Sequence, residues 1–499
     1  MVKIETIVFL SLVLDLFAFT IPLPLFPRII EWYTKREASD PNGFLSRTLA
    51  FVSAFRSLFI KSAKGSKKWD VVLLGGFMGS VFSTLQFLVS PHIGSLSDKY
   101  GRKKILLITM AGNILSALVW IQSTSFASYM LSRAIGGLSE GNVQLAIAII
   151  SDITTPANRG KALAHVGIAF AICFIIGPPI GAYFASRPVP PALIAGGFEL
   201  NIYTVPAFLT LVLLGLETLF LALALPETRG TVIKNAPEKK AKEKEANGHS
   251  NGSARNGQAK LTREEDVKRR MDLLKRLQQV HFLFLGLFSG VEFTLTFLTF
   301  DCTFALSLLK KLKTPVLTFT KVFDWTNSQN GMLIGFIGII SALLQGGYVR
   351  RSMSKTGEGV MARRGVSSCA LGLVLLAIVP RFATSRVSLS ILLLRAAAVC
   401  LAFTSATVVN ALTAYASLQC DEAVDSDTGK PHTTHPKLAK GKALGQFRSS
   451  GQLGRAIGPL LACASYWTVG PSLTYAIAGA AMFLLSSRMK SIAVKPHSA

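Results

Sequence analysis

The sequence predicts an all-α membrane protein of about twelve transmembrane helices, arranged as two pseudo-symmetric six-helix bundles. Three observations predict it. Of 499 residues, 50% are hydrophobic and only 16% charged, with a mean hydropathy of +0.45, whereas a soluble domain carries about 25% charged residues. Apolar runs of roughly 18 to 25 residues recur along the chain, long enough to cross a ~30 Å hydrocarbon core as helices. The second half of the chain also repeats motifs of the first.

The first six spans fall near 4–27, 70–96, 105–123, 127–151, 161–185 and 203–225. Span one could pass for a signal peptide, but it lacks a small-residue cleavage site and carries Asp15, Pro22 and Pro24, so it reads as a retained span. The second six spans fall near 279–301, 329–349, 366–382, 388–415, 443–467 and 470–489. Residues 1–228 therefore form one bundle and 277–499 the other. Between them, 229–276 is rich in Lys, Glu, Gly, Ser and Asn. Its first part is expected to be a disordered cytosolic linker. Its last stretch, Leu261 to Gln279, has helical character suited to a membrane surface. Residues 28–69, 302–328 and 417–442 are the other long connections, the first with an amphipathic piece at 44–60.

The formal net charge is +26. In a soluble protein it would suggest nucleic acid, but these basic residues lie between apolar runs and fit loops facing anionic headgroups. Lys99, Arg102, Lys103, Lys104, Arg159, Lys161, Arg350, Arg351, Arg363 and Arg364 fall on one side if the spans alternate. That side is then the cytosol, with both termini and the linker, and the triplet Asn251-Gly252-Ser253 goes unglycosylated. The six cysteines show neither metal spacing nor a disulfide framework.

Repeats come before motifs. "GFMGSVFSTLQ", Gly76 to Gln86, matches "GFIGIISALLQ", Gly335 to Gln345. Ala164, Cys173, Gly177, Pro178 and Gly181 of span five match Gly445, Gly454, Gly458, Pro459 and Ala462 of span eleven at identical intervals. Arg133 in span four matches Arg395 in span ten. A duplicated six-helix unit around a midplane site is an architecture of secondary transporters.

"GSLSDKYGRKK", residues 94–104, joins spans two and three. Gly94 and Gly101 permit tight backbone geometry. Asp98 at a helix end can accept hydrogen bonds from the exposed N–H groups of another helix's first turn, and the duplication points to span eleven. Arg102 and Lys103 can hold Asp98 or anionic lipid. Such a cluster would act as a cytosolic gate that breaks when the halves rock apart.

This stretch resembles the loop-two signature of the major facilitator superfamily. "RAIGGLSEGN" from Arg133 resembles its span-four signature, and "IGPPIGA", Ile176 to Ala182, resembles the span-five signature of its drug:proton antiporter branch. "DLFAFTIPLPLFP" resembles span one of that branch. "FSGVEFTLTFLT" at 288–299 and "QFRSSGQLGRAIGP" at 446–459 look similar to its tetracycline-transporter-like members. Cys173 and Ala164 depart from the span-five pattern, and the loop after span eight lacks the latch aspartate. The resemblance implies that Gly177, Pro178, Gly181, Gly454, Gly458 and Pro459 pack at the interface of the halves and oppose leak. It also implies that Arg133 communicates with the span-one acid, Asp15.

A charge at mid-bilayer costs roughly 2.5–3.5 kcal/mol on insertion scales. Asp15, Arg133, Glu140, Glu217, Glu292 and Arg395 therefore ask for a reason. Asp15 and Arg133 are the favoured proton-coupling pair, with Glu140 as the alternative partner of Arg133, while Glu217 is expected to face another helix or the interface. Phe19, Gln86, Asn142, Phe293, Phe297, Gln345 and Asn410 are candidates to line an amphipathic cavity. "GLSEG" matches a nucleophile-elbow pattern but lies inside an apolar helix, and no phosphate-binding loop is present, so neither an enzyme nor an ATP-driven pump is expected.

The expected function is secondary transport by alternating access, with proton-coupled export of amphipathic organic compounds. The alternatives are transport of organic anions, facilitated or proton-coupled and favoured by Arg133 and Arg395, and a non-transporting sensor or scaffold. No cofactor or metal is expected, with the proton as coupling ion. The partners are small organic molecules or anions and the lipid bilayer, not nucleic acid, and the chain is expected to work as a monomer.

Overall fold

In the computed structural model, residues 3–22, 25–58, 67–185, 203–229, 263–300, 327–382, 385–421 and 435–493 are described. Each of the twelve expected spans is carried by helix. The first half runs Ile4–Thr20, Lys67–Tyr100, Arg102–Ile121, Phe126–Ser139 with Asn142–Ile153, Pro156–Ala185 and Thr204–Ala224. The second runs Arg263–Phe300, Asn327–Leu343, Glu358–Phe382, Val387–Leu418, Lys440–Val469 and Pro471–Arg488. Seven of the described helices are long and apolar enough to cross a membrane by length and composition. Leu223, Leu343, Leu392, Leu461 and Phe483 are each more than 60% exposed. An outer surface of that kind needs lipid around it rather than water.

Four features differ from the sequence reading. Span four is two helices, because Glu140 takes an extended conformation (ψ 97°) between Ser139 and Asn142. Span eight ends in a π-helical turn, Leu344–Val349, a wider coil found frequently at functional sites. Two short helices, Phe26–Arg36 and Phe44–Ser57, follow span one, where only the second was expected. The stretch expected to lie on the membrane surface is instead continuous with span seven, as one 38-residue helix from Arg263 to Phe300. The remainder of the expected linker, 230–262, with 302–326 of the loop after span seven and 422–434 of the loop after span ten, lies outside the described residues.

The duplication governs packing. A side chain at Gly177 would run into Thr20, and one at Gly181 into the Ile21 carbonyl, so span five packs directly on span one. Gly454 and Gly458 meet the carbonyls of Phe282 and Gly286 in the same way, so span eleven packs on span seven. Pro178 and Pro459 sit beside these glycines inside their helices. The motif glycines thus join helices within each half, a correction to the expectation that they lie between the halves. Small residues let backbones approach closely where lipid supplies no hydrophobic drive.

Other residues join the halves. Span eleven runs along span two: Gly441 lies against Gly94, Gly445 against Ser90 and Pro91, and Ser449 Oγ donates to the Phe87 carbonyl at 2.7 Å. Span five meets span eight, with Gly338 on Ile175 and Gly167 on Gln345. Under the duplication these two seams are equivalent.

Candidate functional site

The site has a latched end and a set of polar groups deeper between the spans. At the latched end the first N–H groups of span eleven have no partner within their own helix. Asp98 supplies one from the other half, its Oδ1 accepting the Gly441 N–H at 2.8 Å and its Oδ2 the Lys442 N–H at 2.7 Å. Arg102, only 4% exposed, donates from Nη1 to Asp98 at 2.8 Å and from Nε to Asp152 at 2.9 Å. Lys440 reaches Asp152 at 3.5 Å and Asp421 at 3.6 Å, and Arg159 pairs with Asp421 at 2.6 Å. Arg159 also donates to the Ser151 and Thr154 carbonyls. Three carboxylates and three cations therefore interlock across both halves, with hydrogen bonds that raise a buried ion pair above break-even.

Sequence reasoning missed Asp152, Arg159, Asp421 and Lys440. The last is at the place in span eleven that Arg159 holds at the start of span five, so the repeat carried the signal. Lys103 is not part of the latch, contrary to expectation. One residue on from Arg102, it is turned about 100° around the helix, and its Nζ donates to the Ala222 carbonyl at 2.8 Å. Gly101, at φ +103°, starts span three. Beside it Glu227 takes the N–H groups of Arg102, Lys103, Thr228 and Arg229. Partial burial opposes the Glu227 charge, but those four donors outweigh it and hold the carboxyl below the usual range.

Deeper in, Asp15 of span one is buried and accepts from Asn142 Nδ2 at 2.7 Å, while Asn142 Oδ1 accepts from Thr109 at 3.1 Å. Asn142 opens the second half of span four, so the break puts Glu140 and Asn142 beside span one. Arg448 of span eleven interacts electrostatically with both Asp15 and Glu140, and its Nε has no hydrogen-bond partner among the described residues. Glu217 is fully buried and accepts from Ser11 of span one at 2.7 Å, so it faces another helix. Glu292 has Arg455 of span eleven as its charged neighbour. His281 stacks on Phe447 with ring centroids 4.2 Å apart.

Arg133 is not paired with Asp15, nor with Glu140. Glu140 is seven residues further along span four, about 10 Å away along a helix. The Arg133 guanidinium instead lies 5.4 Å from the Trp120 ring centre and 5.6 Å from that of Tyr129. Arg448 takes the place expected for Arg133. Its signal was two arginines, 448 and 455, seven residues apart within span eleven. Arg395 is exposed on one stripe of span ten with Leu392 and Val399 and has no ion pair among the described residues.

Of the expected cavity residues, Phe19 lies near Phe82 and Phe174, and Phe293 packs over Gly76. Gln86 and Gln345 are buried, and Gln345 and Asn410 both face Gly167. The Phe297 side chain lies outside the described residues.

Two duplicated helical bundles, latched at one end by charge and holding ionisable groups between their spans, define a membrane transporter rather than an enzyme. The Major Facilitator Superfamily model matches residues 8–426, and the chain belongs to that family. It is 32% identical to the bovine "Major facilitator superfamily domain-containing protein 10" over 97% of this chain and 91% of that protein. Its fold is similar to the crystal structure of the human organic anion transporter MFSD10 (TETRAN), with a TM-score of 0.71 and 28% identity, covering 97% of this chain and 98% of that one. A shorter likeness, 34% over 106 residues and 21% of this chain, is to the class H tetracycline resistance protein of Pasteurella multocida.

Proposed function

We propose that this transporter moves amphipathic organic anions by alternating access, each together with a proton. One observation carries the reading. Asp15 and Glu140 of the first half share the field of Arg448 from the second. A carboxylate and an anionic substrate compete for one guanidinium, so protonating the carboxylate frees Arg448 for cargo and losing the proton expels it. The name of the human structure supports an anionic cargo.

In this proposal the latched end faces the cytosol, as the basic loops suggest, and both termini lie there. Asp98, Gly94, Gly101 and Arg102 act as the cytosolic gate, and one chain suffices. The test is uptake of a fluorescent organic anion into proteoliposomes with and without an imposed pH gradient. The gradient accelerates wild-type flux and leaves Asp15→Asn unmoved. Equal wild-type flux in both conditions sinks the coupling and leaves a facilitated carrier.

A further inference from the structure

At the end of the bundle opposite the latch, spans three and four enclose a group of donors with no acceptor. Span three starts at Arg102 in the latch, so Trp120, eighteen residues on, lies about 27 Å away along the helix. Trp120 and Tyr129 are both fully buried, with ring centres 6.3 Å apart. The Arg133 guanidinium lies over both rings. Trp120 Nε1, Tyr129 Oη and Arg133 Nε are all buried without a hydrogen-bond partner among the described residues. An indole N–H and a guanidinium N–H can only donate, and a phenol beside a cation is best used as a donor.

Neighbouring groups do not fill the need. Tyr33 packs beside Tyr129 with its ring tilted, but its hydroxyl is committed to Ser123. Ser132 gives Arg133 one contact at 3.5 Å while its own hydroxyl donates to the Ser116 carbonyl at 2.9 Å. Glu37 is the nearby acid, and its carboxylate takes the Phe126 N–H at 2.6 Å. Arg133 makes no ion pair among the described residues, so its charge is left without a counter-ion in a low-dielectric setting. One water can accept only two hydrogen bonds and brings no charge.

We propose that Trp120, Tyr129 and Arg133 form a binding site for a single monoanionic acceptor, either a halide or the carboxylate of a cargo molecule. Arg133, half-buried, is the reachable face, and the two rings are the floor. The site is separate from Asp15, Glu140 and Arg448 and does not depend on proton coupling.

The experiment measures thermal unfolding of the full-length purified protein against added sodium chloride and, separately, sodium benzoate, with sodium sulfate holding ionic strength. A saturable rise in Tm is expected, and Arg133→Gln weakens the apparent affinity about tenfold or more, as loss of a charge-assisted bond requires. Tyr129→Phe keeps the ring and weakens binding less, which separates a lost donor from a misfolded variant. Saturable bromide quenching of the fluorescence lost in Trp120→Phe gives a second readout. A response to chloride assigns the site to a halide; a response to benzoate alone assigns it to a cargo carboxylate. Asp15→Asn retains the response, even if transport no longer follows the pH gradient. A Tm that ignores both anions, or responds equally in Arg133→Gln, overturns the site.

Discussion

Gly94 of span two and Gly441 of span eleven face each other so closely that a methyl group on either would run into the other's carbonyl oxygen. The contact brings Asp98 within hydrogen-bonding range of the first turn of span eleven. Gly94→Ala should force the helices apart at a cost of about 1–3 kcal/mol, the usual range for overpacking. Cys420, buried beside Asp421 of the latch, supplies the readout. Its maleimide labelling should speed up in Gly94→Ala, and an unchanged rate would mean the latch does not depend on this approach.

Arg448 and Asp15 should be energetically coupled. Removing the guanidinium alone leaves two acids without their counter-charge, which is worse than removing both partners. In a double-mutant cycle, Arg448→Gln should destabilise the protein more than Arg448→Gln with Asp15→Asn, with a coupling energy of about 0.5–3 kcal/mol. Additive effects on denaturant unfolding would separate the two residues.

The packing glycines give a stability prediction with an internal control. Gly181→Ala and Gly458→Ala each place a methyl group against a carbonyl of the neighbouring helix and should cost about 1–3 kcal/mol. Gly79→Ala, where nothing lies within 4 Å, should be neutral or slightly stabilising. Equal Tm values for all three would contradict the close approach.

Glu227 makes stability depend on acid. Its folded pKa lies below the ordinary 4.5. The unfolded chain therefore takes up its proton first, and the stabilisation present above that value is lost as pH falls through the lower, folded pKa. Between pH 5 and 3, wild-type Tm should fall more steeply than that of Glu227→Gln; parallel curves would assign the acid loss elsewhere.

Much of the fold was legible because a bilayer allows few solutions. Runs of apolar residues had to be helices, and the glycine spacings shared by spans five and eleven announced the repeat. The contact of Asp98 with span eleven followed from the same logic: an exposed acid at one helix end and unpaired N–H groups at the start of another. The break at Glu140 was not legible, since Ser139, Glu140 and Gly141 sit within an otherwise helical run, and the acid that Asn142 meets beyond the break, Asp15, lies in span one. Arg133 misled for a related reason. Composition shows that a membrane arginine needs company, but not that rings rather than a carboxylate surround it. Arg448 was overlooked because its neighbours on the chain are small and polar, and the acids it meets lie in the other half.

The 38-residue helix that begins at Arg263 is about 57 Å long, nearly twice the ~30 Å of hydrocarbon it has to cross. Arg270, near the free end of this helix, donates to the Asp421 carbonyl at 2.7 Å, so the overhang is tied to the same ring of ions that joins the two halves. Any rocking of the second bundle swings this shaft as a pointer, and a tilt too slight to measure at its pivot becomes a wide sweep at the tip. A dye attached at Arg263 would count the strokes of a single molecule while leaving the route taken by its cargo untouched.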